Sequence, residues 1–424
     1  MCSNNSITKI LGISDKNLKI IDSDYENIKG IRYMVIDAQI TYTPKACTKC
    51  GCINENYSIV KNGNKTVKVL INRAGNNPVI LRIKKQRFYC KHCESTFIAK
   101  TSLTEKGCFI SKDVKKSIIN DLREFKPMKL IAKEHYVSSN TVARILISTE
   151  IKSRRKYLPE IMGIDEFKSL KNVDAAMSVN ITDLESNKIF DVVSDRKKGH
   201  LKRYFLLYPL EVRRKVKIVT MDMYDPYLEI AKEVFPNAEI IIDKFHIVQL
   251  FNRSLNKYRI TLMKGLNKNS HEYKILKTYW KLPLAKHWEL DRVHFFRHKH
   301  YKKFTSKYDI LQDILAIDKD FKYTYEFYQR FLIAIENNDV SMLYDIINTP
   351  NDRCPQFFKV NLKSLKKRIR YVLNSLKYNY TNATVEGKNN MIKVFKRVSF
   401  GFRSYRNMRA RILLRERFEI KKVA

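Results

Sequence analysis

Three things are scarce in this chain, and each scarcity excludes something. Acidic residues number 43 against 82 Lys and Arg, a formal charge of +39 over 424 residues. Such a surplus repels itself unless a polyanion neutralises it, and each neutralised phosphate releases counterions, so nucleic acid is the expected partner. A merely Lys-rich chain from an AT-biased genome is the blander account, and the many Lys, Asn and Ile residues fit it too. Long apolar runs are missing. No stretch approaches the roughly 18 uncharged apolar residues of a membrane span, and the opening "MCSNNSITKILGISDKNLKIIDSD" lacks the apolar core of a secretory leader. A cytoplasmic protein with no membrane partner is expected. Internal repeats and long low-complexity tracts are also absent. The length predicts two to four domains, and a 44% hydrophobic fraction is enough for sizeable cores.

The eight cysteines belong to a compartment where thiols stay reduced, which favours metal ligands or buried thiols over disulfides. Cys47 and Cys50 in "ACTKCGC", and Cys90 and Cys93 in "RFYCKHCESTF", form two Cys-x-x-Cys pairs. Two intervening residues let both sulfurs meet one tetrahedral Zn²⁺ at about 2.3 Å. The segment between the pairs reads as strands and Asn-Gly or Gly-Asn turns, so a structural zinc ribbon is expected, with Cys52 an alternative to Cys50. Cys2, Cys108 and Cys354 stand alone. Strands are expected over residues 18 to 42. Helical periodicity then takes over from 111 to 150. "SKDVKKSIINDLREF" has a Ser cap and apolar Val114, Ile118, Ile119 and Leu122. "MKLIAKEHYVSSNTVARILIST" reads as helix, tight turn, helix, with Leu130, Ile131 and Ala132 inward, then Val142, Ile145 and Leu146. The second helix would turn Asn140, Thr141 and Arg144 outward, the layout of a DNA-binding helix-turn-helix. An ordinary αα-hairpin uses the same pattern.

From residue 157 five strand-like runs follow, "IMGIDEF", "DAAMSVNITD", "KIFDVVSD", "VKIVTMDMYD" and "AEIIIDKFH", with helices around the fourth. Three meandering strands followed by αβ units predict a mixed sheet flanked by helices. Asp165 ends the first strand and Asp222 the fourth; carboxylates there point into the crevice where such sheets bind ligands. If those strands are neighbours, the two acids suit shared coordination of Mg²⁺. A third acid is needed. Residues 353 to 415 hold 17 Lys or Arg and a single carboxylate, Glu386. It opens a helix that Asn382 or Thr384 would cap, on which Glu386, Asn389, Asn390, Lys393 and Arg397 are expected to share one face, with Lys396 beside them. Val385, Ile392 and Phe395 would face a core. A metal ligand, two amides and several cations on one face suit metal ions beside a phosphate backbone; a lone surface acid is the alternative. Asp183, Asp225 and Asp243 compete for roles, and Glu166 is expected to point to the other side of its strand. Asp243 and His246 make an Asp-x-x-His pair, for which a buried, hydrogen-bonded packing histidine is the rival account.

Both cysteine pairs, "GIDEF", "VTMDMYDPY", "IIDKFHIVQ" and "NATVEGKNNMIKVFKRVSFGFRSYRNMRARIL" stand in the order and spacing of a known family over nearly the whole chain. The chain resembles the bacterial insertion-sequence transposases of the ISL3 type. The resemblance implies a multidomain α/β protein: a zinc ribbon, a helix-turn-helix, and an RNase H-like core of the DDE class interrupted by an all-helical insertion. It implies Asp165, Asp222 and Glu386 as the catalytic triad on two Mg²⁺ ions (Mn²⁺ substituting), with Asp243 and His246 auxiliary. It also implies double-stranded DNA as partner, both terminal inverted repeats and target, and a homodimer or larger synapse associated with the nucleoid. The expected divisions are a β-rich segment at 1–44, zinc ribbon at 45–100, helix-turn-helix at 101–155, first part of the core at 156–260, insertion at 261–375, and final core helices at 376–424. One departure follows "DEF", where the family usually has Lys-Gly and an aromatic while this chain has "KSLKNVDAAMSV"; substrate contacts of that turn are expected to differ. Two rival functions are a non-catalytic DNA-binding regulator with a decayed core and a structure-specific nuclease on the same fold.

Overall fold

The computed structural model describes residues 8–150, 155–171, 173 and 175–417. Cys2, and Asn172 and Asp174 of the departing turn, lie outside them. The chain divides into two compact units, one of residues up to 151 together with those from 394 onward, the other of residues 152–393.

The first unit holds a five-stranded sheet of β1 (Leu18–Ile28), β2 (Ile31–Ile40), β3 (Ile59–Ala74), β4 (Asn77–Cys90) and β5 (Ser95–Ile98), in the order β1-β2-β4-β3 with β5 also on β4. The expected break at residue 44 is not a break in packing. β2 runs parallel to β4 from Met34↔Val79 to Ile40↔Lys85, and the period-two alternation buries Ile36, Ala38 and Ile40 together with Val79, Leu81 and Ile83. The N-terminal strands and the cysteine-bearing strands therefore share one core. Three helices follow, α1 (Lys112–Arg123), α2 (Met128–Glu134) and α3 (Ser139–Ser148). Ser111 caps the first by accepting from Val114 N, and Ser138 caps the third by accepting from Thr141 N. Val114, Ile118, Leu122, Ile131, Val142 and Leu146 fill their shared core. Leu130 is a correction: it is 42% exposed, because Ile131 and Ala132 fill the inward face of the seven-residue α2 and residue 130 falls off its edge.

The second unit opens with β6 (Ile161–Lys168), β7 (Met177–Asp183) and β8 (Lys188–Val193), then α4 (Lys198–Leu206), α5 (Leu210–Arg213), β9 (Ile218–Met221), α6 (Asp225–Val234), β10 (Glu239–Ile242) and α7 (Lys244–Lys264). The sheet order is β10-β9-β6-β7-β8. β6, β7 and β8 form an antiparallel meander, whereas β9 is parallel to both β6 and β10. After α7 the chain is mainly helical: α8 (His271–Thr278), a two-residue hairpin β11 (Phe296–Arg297) and β12 (Phe304–Thr305), α9 (Lys307–Ala316), α10 (Lys319–Glu336), α11 (Val340–Asn348), α12 (Gln356–Lys367), α13 (Ile369–Lys377), α14 (Ala383–Val398) and α15 (Tyr405–Arg417). The helices from α8 to α13 have no core separate from that of the sheet. One apolar cluster runs from Ile164, Val219 and Ile242 of the sheet into α7, α10 and α12. Phe251 of α7 is its hinge, fully buried with its ring 4.7 Å from that of Phe331 and 4.9 Å from that of Phe358. At the sheet edge Asn374 of α13 donates to Ile240 O at 3.0 Å, which occupies an edge carbonyl that would otherwise invite another strand. Among the described residues no helix is long and apolar enough to cross a membrane.

The last helix departs from expectation. Rather than joining the second unit, α15 packs Ala410 and Leu414 into the α1–α3 core. Arg411, fully buried, donates from Nε to Leu122 O at 2.9 Å and from Nη2 to Glu124 O at 3.0 Å. Burial lowers its pKa to about 10, and it satisfies the orphan carbonyls at the end of α1. Part of the basic run is thus structural.

Candidate active site and zinc centre

The two Cys-x-x-Cys turns lie in the first unit, one in the loop before β3 and the other where β4 turns into β5. Cys47 N donates to Cys52 O and Gly51 N to Cys47 O, at 2.8 and 3.0 Å. Gly51 has φ +77°, a conformation that a side chain would strain, and it curls the knuckle so that both sulfurs face one point. The Cys47 and Cys93 sulfurs are 3.7 Å apart, and those of Cys50 and Cys90 3.8 Å. Four sulfurs about 2.3 Å from one Zn²⁺ in a tetrahedron are separated by about 3.8 Å. The donor set and its spacing therefore fit structural zinc. Cys52 is excluded as the replacement ligand, because its thiol turns to Ile53 O at 3.5 Å, while Cys50 takes its place among the four.

The carboxylates belong to the second unit. β6 and β9 pair in parallel, Ile161↔Ile218 through Ile164↔Met221. Asp165 and Asp222 follow the last paired residues, so neighbouring parallel strands present both acids together. Asp222 lies just past the end of β9, whereas Asp165, expected at a strand end, is inside β6, which β7 extends to Lys168. Asp222 Oδ1 accepts from His246 Nε2 at 2.9 Å. His246 is in the first turn of α7, a helix capped by buried Asp243, whose Oδ1 accepts from Phe245 N at 3.4 Å. Glu386 is exposed in the first turn of α14 and, among the described residues, has no side-chain partner. It borders a mainly apolar cavity of about 460 Å³, together with Asp243, Phe245 and Ile335. Among the described residues only the four cysteines bring three or more such ligand atoms within 4.8 Å of one another. The three carboxylates do not all come that close to one another; Asp222 is engaged by His246 and Asp165 by Asn389.

Asn389 corrects the expected helix face. It is 3% exposed and lies in a seam with Asn382, Val385 and Ile392, spaced three, four and three residues apart as one side of a helix requires. Its Nδ2 donates to Asp165 Oδ2 at 2.7 Å and to Glu166 O at 3.3 Å, and its Oδ1 accepts from Asn180 Nδ2 at 3.1 Å. Asn382 is no helix cap through its side chain. Its Oδ1 accepts from Thr220 Oγ1 at 2.5 Å, and its Nδ2 approaches Asp222 Oδ1 at 3.5 Å. The seam's spacing is visible in the sequence, and weighing it against the acid-bearing face would have found both amides.

Burial, then the charge of Asp222, push the Asp165 pKa up to about 6, while the Glu166 N–H, His246 and Asn389 oppose the rise. The bond to Asp222 raises the His246 pKa against its own burial. Burial also raises that of Asp243. Two aspartates and a histidine thus share charge in a half-buried crevice, the kind of site where a divalent cation is favoured. The competing acids are occupied elsewhere. Glu166 accepts from Arg196 Nη1 at 2.7 Å and from the buried Tyr227 hydroxyl at 3.3 Å. Asp225 pairs with Arg368, and Asp183 closes the β7–β8 turn through Glu185 N at 3.0 Å. Of the residues expected at DNA, Asn140 and Arg144 are exposed on α3, with Arg144 donating to half-buried Thr141. Asn390, Lys393 and Arg397 are exposed and Lys396 half-buried on α14.

A family model described as a transposase, of the DDE and ISL3 type, matches residues 162–412. A second, described as the zinc-finger of transposase IS204/IS1001/IS1096/IS1165, matches residues 43–93 and so spans all four cysteines. The chain is similar to the transposase for insertion sequence element IS1001 of Bordetella parapertussis, 23% identical over 334 residues, 77% of this chain and 78% of that protein. It is also 33% identical over 107 residues to a protein named ATP-dependent protease from Lactococcus lactis subsp. lactis, a stretch covering 25% of this chain and 34% of that one. The chain therefore spans about a third of that second relative.

Proposed function

The chain belongs to the ISL3 family of transposases, and we propose that it cuts and rejoins DNA at the ends of an insertion sequence through Asp165, Asp222 and Glu386. The observation that carries this reading is the parallel register of β6 on β9, which brings two acids 57 residues apart in sequence together beside the helix of the third. The meander followed by two parallel strands supports an RNase H-like core, and the α2–α3 pair, with Ser138 capping α3, supports a helix-turn-helix. In this reading α3 enters the major groove of the terminal inverted repeats with Asn140, Thr141 and Arg144, and the zinc ribbon steadies that grip.

Asp165, Asp222 and Glu386 would hold two Mg²⁺ ions, which when bound supply Lewis-acid activation of the attacking oxygen and stabilisation of the leaving one. The chain's own residues align the strand. Asn390 and Lys393, exposed beside Glu386, hold phosphates; Lys396 and Arg397 continue that basic edge; His246 orients Asp222. A water oxygen attacks phosphorus, the bond to the 3′ oxygen breaks, and that oxygen takes a proton. The freed 3′-hydroxyl oxygen then attacks a target phosphodiester and displaces its 3′ oxygen. No covalent protein–DNA intermediate is formed, so no Ser or Tyr nucleophile is required. Two ends must be joined, which calls for a dimer or larger synapse working on the nucleoid in the cytoplasm.

The test is Mg²⁺-dependent cleavage of DNA carrying the ends that flank the gene, with wild type beside Glu386→Gln, which keeps shape and removes charge. The expected result is cutting by wild type and, in the variant, unchanged end binding with cleavage reduced about 10³-fold, the worth of several kcal/mol of metal catalysis. Cutting by both would move the third ligand elsewhere. Binding without cutting by both, even with Mn²⁺, would leave a DNA-binding remnant. Cutting without end-specific binding or strand transfer would favour a nuclease.

A further inference from the structure

We propose that Asn382 and Asn389 are positioning residues that lock the helix carrying Glu386 into register with Asp165 and Asp222. This rests on the catalytic reading above and adds to it what fixes the helix of the third acid against the strands of the other two.

Asn382 immediately precedes α14 and Asn389 lies seven residues on, about two turns along it, and both are 3% exposed. Each faces one aspartate. Each also uses its oxygen to accept from a group fixed on the sheet, so its nitrogen is left to donate. On one side the order of donation runs Thr182 Oγ1 to Asn180 Oδ1 at 3.2 Å, Asn180 Nδ2 to Asn389 Oδ1 at 3.1 Å, and Asn389 Nδ2 to Asp165 Oδ2 at 2.7 Å. On the other, Thr220 Oγ1 donates to Asn382 Oδ1 at 2.5 Å, and Asn382 Nδ2 faces Asp222 Oδ1 at 3.5 Å. Thr182 and Thr220 are themselves fully buried on β7 and β9, so neither chain of donors can turn around without leaving a buried polar atom unpaired. Between the amides, Val385 of the same helix lies against Gly163 of β6. A Cβ at residue 163 would come within 2.3 Å of Val385 Cγ2. The helix is thus set at three successive points, and Glu386, next to Val385, is held by the same seam while its own side chain stays exposed. A buried asparagine meets these needs better than Asp, which cannot donate when ionised, or Leu, which can do neither.

The test measures Mn²⁺ binding to the whole protein without DNA, by the paramagnetic resonance of free Mn²⁺, alongside the Mn²⁺ dependence of cleavage and the melting temperature. Variants are Asn389→Leu and Thr220→Val. The second keeps the threonine shape and removes only the hydroxyl that orients Asn382, so it remains informative if the first fails to fold. Loss of groups that orient metal ligands typically weakens metal binding 10–100-fold. The expected result is at least a tenfold rise in the Mn²⁺ concentration for half occupancy in folded Thr220→Val, with the same shift in cleavage and end binding unchanged. Folded variants that bind Mn²⁺ as wild type does, however much their melting temperature falls, overturn the proposal and leave ordinary core asparagines. Wild type that binds Mn²⁺ no better than Glu386→Gln overturns the catalytic reading, and the proposal with it.

Discussion

The cysteine site and the carboxylate site are built by opposite means. Each half of the first is local: two residues separate the ligands of each pair, and a single hairpin, β3–β4, brings the pairs together. Two of its sulfur pairs stand 3.7 and 3.8 Å apart, the spacing a tetrahedral ion needs, and all four sulfurs lie within 4.8 Å of one another. The second draws on a β-strand, the end of another strand and a helix, at residues 165, 222 and 386. Its oxygens are engaged by His246 and by Asn389, and its third acid is free among the described residues. A closed set of soft ligands suits a metal that holds a fold. A set of hard ligands on hydrogen-bonded hinges suits metals that must admit substrate.

The largest expected effect tests the closed site. Cys90→Ser, or a strong chelator, should release one Zn²⁺ per chain and unfold the sheet of the first unit. A loss of several kcal/mol is expected, since structural zinc contributes on the order of 10 kcal/mol in isolated fingers. Calorimetry should show one transition moving down while the other stays, and zinc release with both transitions unmoved would break the comparison. Next is Gly163→Ala. Val385 is fully buried and cannot yield, so overpacking should cost about 3 kcal/mol, and the shifted helix should lower cleavage roughly 10²-fold. A variant of unchanged Tm and activity would mean that α14 is not seated on β6 as described.

A smaller effect has the opposite sign. Asp165 titrates near 6 against about 3.9 when unfolded, so the folded state binds the extra proton between those values. Metal-free stability should therefore fall as pH rises from about 4 to 6. His246, whose pKa Asp222 raises, extends the fall beyond the ordinary histidine range, as its stabilisation is full at low pH and lost as it deprotonates. Asp165→Asn should remove the first part of that slope and raise metal-free stability at pH 7.5 by on the order of 2 kcal/mol, while abolishing cleavage. Urea titrations at pH 5 and 7.5 check this, and a destabilised Asp165→Asn at the higher pH would contradict the strained pair. The smallest effect is at Cys52, where Ser should change neither zinc content nor stability beyond about 0.5 kcal/mol. Measurable zinc loss would return Cys52 to the ligand set.

Much of this molecule can be read from residue spacing because the relevant physics is local. Cys-x-x-Cys places two sulfurs on one turn whatever surrounds it. Ser111 and Ser138 cap helices because the groups they satisfy are three residues away. Asp222 is legible as a strand end, but Asp165 is not one: β6 runs on to Lys168 because β7 continues to pair with it, which the apolar run "IMGI" alone does not show. Other features needed the tertiary structure, because they depend on which surfaces meet. The pairing of β2 with β4 joins two segments that composition separates. The charges of Arg368 and Arg411 look like DNA contacts in a basic run, yet one pairs with Asp225 and the other is buried against the carbonyls of α1. Asn389 reads as a surface amide beside Glu386. Only the seating of Val385 on Gly163 turns it toward Asp165, since a helix can present either of two neighbouring faces until a partner surface chooses one.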